Sequence, residues 1–358
     1  MGLKGTFAQI VDKIARFGGN ISEAEVLTEA ESKFAQKVMV NQPDVPLNST
    51  KDNTFASALF SLLLAVFILS FAAIFTRLSE NELGPAATVF NRYWIATIVL
   101  FFWEGIQYLI GNSSKPNEVI KLKDWAIFLT ASIVGTASIL VWALSLTKAS
   151  VANANLLHNL TPIFATLGGW LFLGQSFDYK FLWGMMLAII GATTIGIGDF
   201  QATIDSLVGD SLALLSAVFY ALTYLIRENL RYRFSATTIL LWTCLLGGCF
   251  TFLVTLTTET QLLPNSWQTW LAVICLAVLC QIIGQGLLIH NLKQFPSGFV
   301  TLFMLLEPLL TALFAWAIFA EKLTPLNWVA FFLVLAGIYL AKRSKGSEKL
   351  ADDECYIQ

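Results

Sequence analysis

The sequence predicts an all-α membrane protein, with ten transmembrane helices in two inverted five-helix repeats around a central cavity. Three observations carry that expectation. Of 358 residues 56% are hydrophobic and only 13% charged, and the mean hydropathy is +0.68, which a soluble chain of this length would not show. From Phe55 onward, apolar runs of about 18 to 23 residues alternate with short polar turns, the length a bilayer core asks of a helix. The stretch from Leu160 to Gln175, LTPIFATLGGWLFLGQ, has a second copy 146 positions on, so that Leu160, Pro162, Trp170 and Gly191 fall on Leu306, Pro308, Trp316 and Gly337.

Residues 1–54 form a polar tail in which Leu3, Phe7, Ile10, Val11, Ile14 and Phe17 recur at helical spacing beside Lys4, Lys13 and Arg16. Two readings stand: a helix lying on a membrane surface, or a soluble helix that meets a partner. The tail lacks the uninterrupted apolar run of a signal peptide, so the run from Phe55 is expected to stay as the first span. The ten spans are expected near 55–76, 86–108, 124–146, 150–173, 181–198, 209–226, 236–258, 267–289, 297–319 and 325–342. Residues 55–198 make the first repeat and 209–342 the second, followed by a tail over 343–358. Five spans per half is an odd number, so the second half enters the membrane from the opposite side and the repeat is inverted.

Loop charge gives the orientation. With a cytoplasmic N-terminus, eighteen of the 22 Lys and Arg residues fall inside, Arg227, Arg231 and Arg233 among them, and only Arg77, Lys148 and Lys322 fall outside. Both termini are therefore expected in the cytoplasm, at the plasma (inner) membrane. That parity also requires an even number of spans.

Several function classes lack their parts. A net charge of -2 gives no reason to expect a nucleic-acid partner. The five cysteines show no CxxC spacing and no metal-ligand cluster, so no metal or other cofactor is expected. Gly196 to Asp199 reads GxGD, which resembles the intramembrane aspartyl proteases, but no second aspartate falls within a span to share a proton with it. HExxH, GxSxG and Walker A motifs are absent, so an enzyme is not expected.

The informative residues are polar ones at membrane depth, where a charge costs on the order of 3 kcal/mol unless it meets a cavity or a partner. Asn155, His158, Asn159 and Pro162 are spaced i, i+3, i+4, i+7 and share one face. Tyr220 and Tyr224 form a second such face, and Gln281 and Gln285 a third. Arg92 and Glu307 are deep ionisable groups, and His158 and Glu307 are candidate proton carriers. Pro162 and Pro308 each remove a backbone donor that lipid cannot replace, so both are expected to break their helices in a packed, partly wet interior. For each polar residue the plainer alternative is a hydrogen bond that only holds helices together.

The duplicated proline segment, followed by Leu-Gly-Gln at Gln175 or Ala-Glu at Glu321 and then by a Gly-rich helix, resembles the drug/metabolite transporter superfamily in its EamA-like branch. The resemblance covers residues 55–342. The first half departs from it in carrying Gln175 where that family commonly has glutamate. It implies two inverted five-helix halves, a central cavity and movement of a small-molecule substrate across the lipid bilayer. Amides and phenols in an otherwise apolar setting suit amino acids or other neutral or zwitterionic solutes. A phosphorylated sugar or nucleotide sugar is the rival, and it would ask for more than one buried cation.

Overall fold

A computed structural model describes residues 47–110, 120–146, 148–149, 151–194, 204–319 and 325–344. Helices account for nearly all of these, and no strand occurs among the described residues. In chain order they are α1 Leu47–Leu69, α2 Ala72–Ser79, α3 Pro85–Leu109, α4 Leu122–Leu146, α5 Val151–His158, α6 Thr161–Leu173 and α7 Tyr179–Thr194. There follow α8 Ile204–Arg231, α9 Ala236–Thr258, α10 Trp267–Cys275, a π-helical stretch Leu276–Gln285, and α11 Gly286–Asn291. The chain continues through α12 Ser297–Phe303, α13 Leu306–Phe319 and α14 Pro325–Lys342. Among the described residues, nine helical segments are long and apolar enough to cross a membrane. Helix α7 has 16 residues, and the expected fifth span runs on to 198, outside the described residues.

Several spans that hydropathy draws as single rods are broken. α1 and α2 make one span with a turn at Ser70 and Phe71, α5 and α6 one with a break at Asn159 and Leu160, and α12 and α13 one with a break at Met304 and Leu305. The last two breaks sit just before Pro162 and Pro308. Proline at 162 cannot donate to the His158 carbonyl one turn back, and the Thr161 hydroxyl donates to that oxygen instead at 2.6 Å. At the second break the Glu307 backbone N–H donates to the Met304 carbonyl at 2.9 Å, the oxygen that Pro308 leaves open. Both breaks are thus satisfied internally.

The closest pairing is between α7 and α14, which pack antiparallel through small residues. A Cβ on Gly184 would meet the Gly337 carbonyl oxygen at 2.5 Å and one on Gly337 would meet the Gly184 oxygen at 2.5 Å, while Gly191 abuts Val334. Without an apolar driving force between helices in lipid, such backbone approach supplies dispersion contact that larger residues prevent. α4 lies along α8, and α3 along α9. The described residues from Ser57 to Ser344 fall within one compact unit. A buried cluster around Tyr93, Phe128, Phe234, Ile239, Cys244 and Val273 joins α3, α4, α9 and α10.

Two carboxylates cross-brace the turns at one end. Glu82, in the turn before α3, accepts from the backbone N–H groups of Asn265 and Ser266 and, at 2.7 Å, from the Ser266 hydroxyl, all at the start of α10. Glu259, in the turn after α9, accepts from Ala86 N–H at 2.7 Å and Ala87 N–H at 3.0 Å at the start of α3. Each turn therefore caps the other's helix, where unpaired N–H groups and the helix dipole favour an anion. Gly84 leaves the room, since a Cβ there would strike the Glu259 carboxyl at 2.3 Å.

These bonds hold the Glu82 carboxyl down at about 2, well below its usual value of 4.5. A lowered folded-state value means that the stabilisation is complete above about 4.5 and fades as pH falls towards 2. Thermal unfolding of detergent-solubilised protein should therefore show an acid-dependent loss in that window that Glu82→Gln reduces. Glu259→Ala should cost about 0.5–2 kcal/mol near neutral pH, the usual range for a lost N-terminal cap.

Candidate functional site

The residue types singled out at membrane depth converge along one face of α8. Ser216, Tyr220, Tyr224 and Arg227 are spaced i, i+4, i+8, i+11, so they form a ladder about 16 Å long at 1.5 Å per residue. At its first rung the Ser216 hydroxyl and His158 Nδ1 are 2.9 Å apart. The Ser216 hydroxyl also lies 2.8 Å from the Ala213 carbonyl, so its one proton is shared between that oxygen and the imidazole contact. The imidazole is flanked by the rings of Tyr220 at 5.2 Å and Trp142 at 6.3 Å. Tyr220 meets Tyr224 edge-on at 5.2 Å.

The far end of the ladder reaches the π-helical stretch. Tyr224 OH donates to Gln285 Oε1 at 3.2 Å, and Arg227 donates an N–H to the same oxygen at 3.0 Å. One turn away, Arg92 Nε donates to Gln281 Oε1 at 2.8 Å, and the Gln281 amide approaches Cys244 Sγ at 3.3 Å. Both glutamines are buried, and both lie in the single stretch of π-helix among the described residues. A π-helix has wider turns and poorer packing than an α-helix, and is kept mainly where side-chain placement repays that cost. Here it brings two amide oxygens to two guanidinium groups.

Glu307 lies within electrostatic reach of Arg92 and of both tyrosines. The cluster thus holds two cations, a carboxylate, two phenols, two amides and an imidazole. Two buried donors in it have no hydrogen-bond partner among the described residues, Arg227 Nε and Trp142 Nε1. Sequence reasoning places His158, Tyr220, Tyr224, Gln281, Gln285, Arg92 and Glu307 among the candidates, and the structure brings these together. Asn155 is exposed and Asn159 half-buried, and neither side chain makes a hydrogen bond among the described residues. Gly196 to Asp199 and Glu321 lie outside the described residues.

Arg227 escapes the sequence reading. Loop-charge counting assigns it to a cytoplasmic turn, whereas α8 continues through it to Arg231 and leaves the residue only 7% exposed. Glu228 is likewise fully buried, accepting from Gln175 Nε2 at 2.6 Å and from the Ser297 backbone N–H at 2.8 Å. That contact gives a physical reason for the amide at position 175, because a glutamate there would press one carboxylate against another.

The sequence matches the EamA-like transporter family twice, over residues 56–197 and again over 207–343. An uncharacterized transporter of Archaeoglobus fulgidus is 24% identical over 286 residues, covering 78% of this chain and 96% of its own. Another uncharacterized transporter, from Methanothermobacter thermautotrophicus, is 22% identical over 292 residues, covering 78% of this chain and 84% of its own. One crystal structure superposes with a TM-score of 0.68 over 80% of this chain and 96% of that one at 16% identity, a likeness of fold alone. A repeated match over most of the chain and two relatives aligned across nearly their whole length agree with the broken, polar-lined helices: the chain belongs to the EamA-like transporter family.

Proposed function

We propose that this protein is a secondary transporter, an exporter or exchanger, of small zwitterionic solutes, amino acids first among them. It works by alternating access between two five-helix repeats of opposite orientation, with both termini in the cytoplasm. One observation supports the solute class above the others: Tyr220 and Tyr224 stand within electrostatic reach of a cation, Arg227, and of a carboxylate, Glu307. A solute with both charges finds a partner at either end of that aromatic wall, and its apolar body packs on the rings. The proposed contacts are Arg92, His158, Tyr220, Tyr224, Gln281 and Gln285, with Asn155 and Asn159 at the mouth. No covalent chemistry is asked of any of them.

The second reading, a phosphorylated sugar or nucleotide sugar, gains from the buried Arg227, which supplies a second cation beside Arg92. Glu307 weighs against it, because a carboxylate repels a dianion. The two part in proteoliposomes tested with a panel of radiolabelled amino acids and sugar phosphates. At least one zwitterionic amino acid should be taken up, and His158→Ala and Asn159→Ala should lower that uptake, the first by about tenfold, the loss expected of a hydrogen bond worth 1–1.5 kcal/mol. Uptake of sugar phosphates alone would replace the first reading with the second.

A further inference from the structure

Arg227, the charged member of the α8 ladder, has an incomplete environment. The residue is more than nine-tenths buried, at 7% exposure, and its Nε is fully buried. It donates one bond, at 3.0 Å, to the neutral Gln285 amide oxygen, which also receives Tyr224 OH. The guanidinium carbon lies 5.6 Å from the centre of the Tyr224 ring. Its Nε has no acceptor, and among the described residues no carboxylate pairs with it. The adjacent carboxylate, Glu228, bonds to Gln175 and to the start of α12. A buried cation without a counter-charge is costly, and a protein keeps one where something else supplies the charge.

We infer that Arg227 is the anchor for the carboxylate of the transported solute, its free Nε–H being one of the donors, with the solute's ammonium directed towards Glu307. This assignment rests on the proposed zwitterion reading and adds polarity to it. Arg92 is less suited to the role, because its Nε is already engaged by Gln281 at 2.8 Å and Glu307 is its electrostatic neighbour. The guanidinium fork donates two parallel bonds to a carboxylate, whereas the ammonium of lysine acts as a point charge. A neutral amide as the resident partner also fits, since Gln285 positions the guanidinium without neutralising it.

The test uses the amino acid that the uptake panel identifies as transported. If no amino acid is transported, the zwitterion reading itself fails and the anchor with it. If one is transported, detergent-purified protein is titrated with that amino acid, with its methyl ester, and with the corresponding carboxylic acid lacking the amino group, following ligand-induced thermal stabilisation. The amino acid should protect wild type and the ester should bind about 30-fold or more weakly, as expected when a buried charge pair loses one member. Arg227→Met should unfold at the same temperature as unliganded wild type or above it, because a buried unpaired charge has been removed, yet lose protection by the amino acid. Arg227→Lys should retain part of it. An ester that protects wild type as well as the parent amino acid overturns the assignment, as does full protection of Arg227→Met. If the methionine variant does not fold, the ester comparison in wild type still decides.

Discussion

Gly337→Leu should abolish accumulation of folded protein, or lower the unfolding temperature by roughly 5 °C or more if some survives. A Cβ at this position would stand 2.5 Å from the Gly184 carbonyl oxygen and 2.6 Å from the Ala188 nitrogen, so α14 and α7 would have to separate along their whole interface. Overpacking in a core costs about 1–3 kcal/mol when side chains can shift, and here the obstacle is backbone. For a chain of 358 residues each kcal/mol is worth about 1–2 °C, from an unfolding entropy of about 2.1 cal/mol/K per residue. Gly105→Leu is the control, since that glycine in α3 has nothing within 4 Å of a built Cβ and should change the unfolding temperature little. Fluorescence size-exclusion profiles of the two variants measure the contrast. A monodisperse Gly337→Leu protein with wild-type stability would mean that the α7–α14 approach does not hold the bundle together.

The glycine that makes this interface is readable in the sequence as the partner of Gly191 in the duplicated segment, but its role is not. Hydropathy fixes helix positions because burial in lipid is a property of each segment alone. Expected and observed bounds agree for Ala236–Thr258 and Pro325–Lys342 and differ by a residue or two for Pro85–Leu109. The two prolines mark helix breaks for an equally local reason. Arg227 and Glu228 go unread because their burial depends on distant partners. Gln285 lies 58 positions from Arg227, and Ser297 lies 69 positions from Glu228. A charged pair at the end of an apolar run is locally indistinguishable from the start of a loop. The π-helical stretch around LAVLCQIIGQ likewise has no residue that announces it. By contrast, Gln281 with Gln285 and Tyr220 with Tyr224 were legible because same-face spacing is a feature of the sequence itself.

Coupling to protons follows as the other large expected effect. The sequence contains no nucleotide-binding motif, so net work is proposed to come from a gradient, and Glu307 and His158 are the groups in the cluster able to gain or lose a proton. The geometry ranks them. His158 is fixed by Ser216 on one nitrogen and packed between Trp142 and Tyr220, whereas Glu307 follows a helix break, where a change in α13 can move it relative to Arg92. One pH unit is worth about 1.4 kcal/mol per proton, a factor of about ten in solute accumulation if one proton is coupled. Proteoliposomes carrying wild-type protein should therefore accumulate the transported amino acid about tenfold per imposed pH unit, in one direction of the gradient and not in the other. Acid outside drives uptake if proton and solute move together, and acid inside drives it if they exchange. Glu307→Gln should abolish the response to the gradient and, because the amide no longer pairs with the solute's ammonium, keep exchange of labelled for unlabelled solute only at raised solute concentration. His158→Gln should reduce the rate more than the accumulation, because it removes a ring from the aromatic wall. Flux that follows only the solute gradient in all three proteins would assign Glu307 to bracing the helix around Pro308, and the ammonium of the solute would then be its only mobile charge partner.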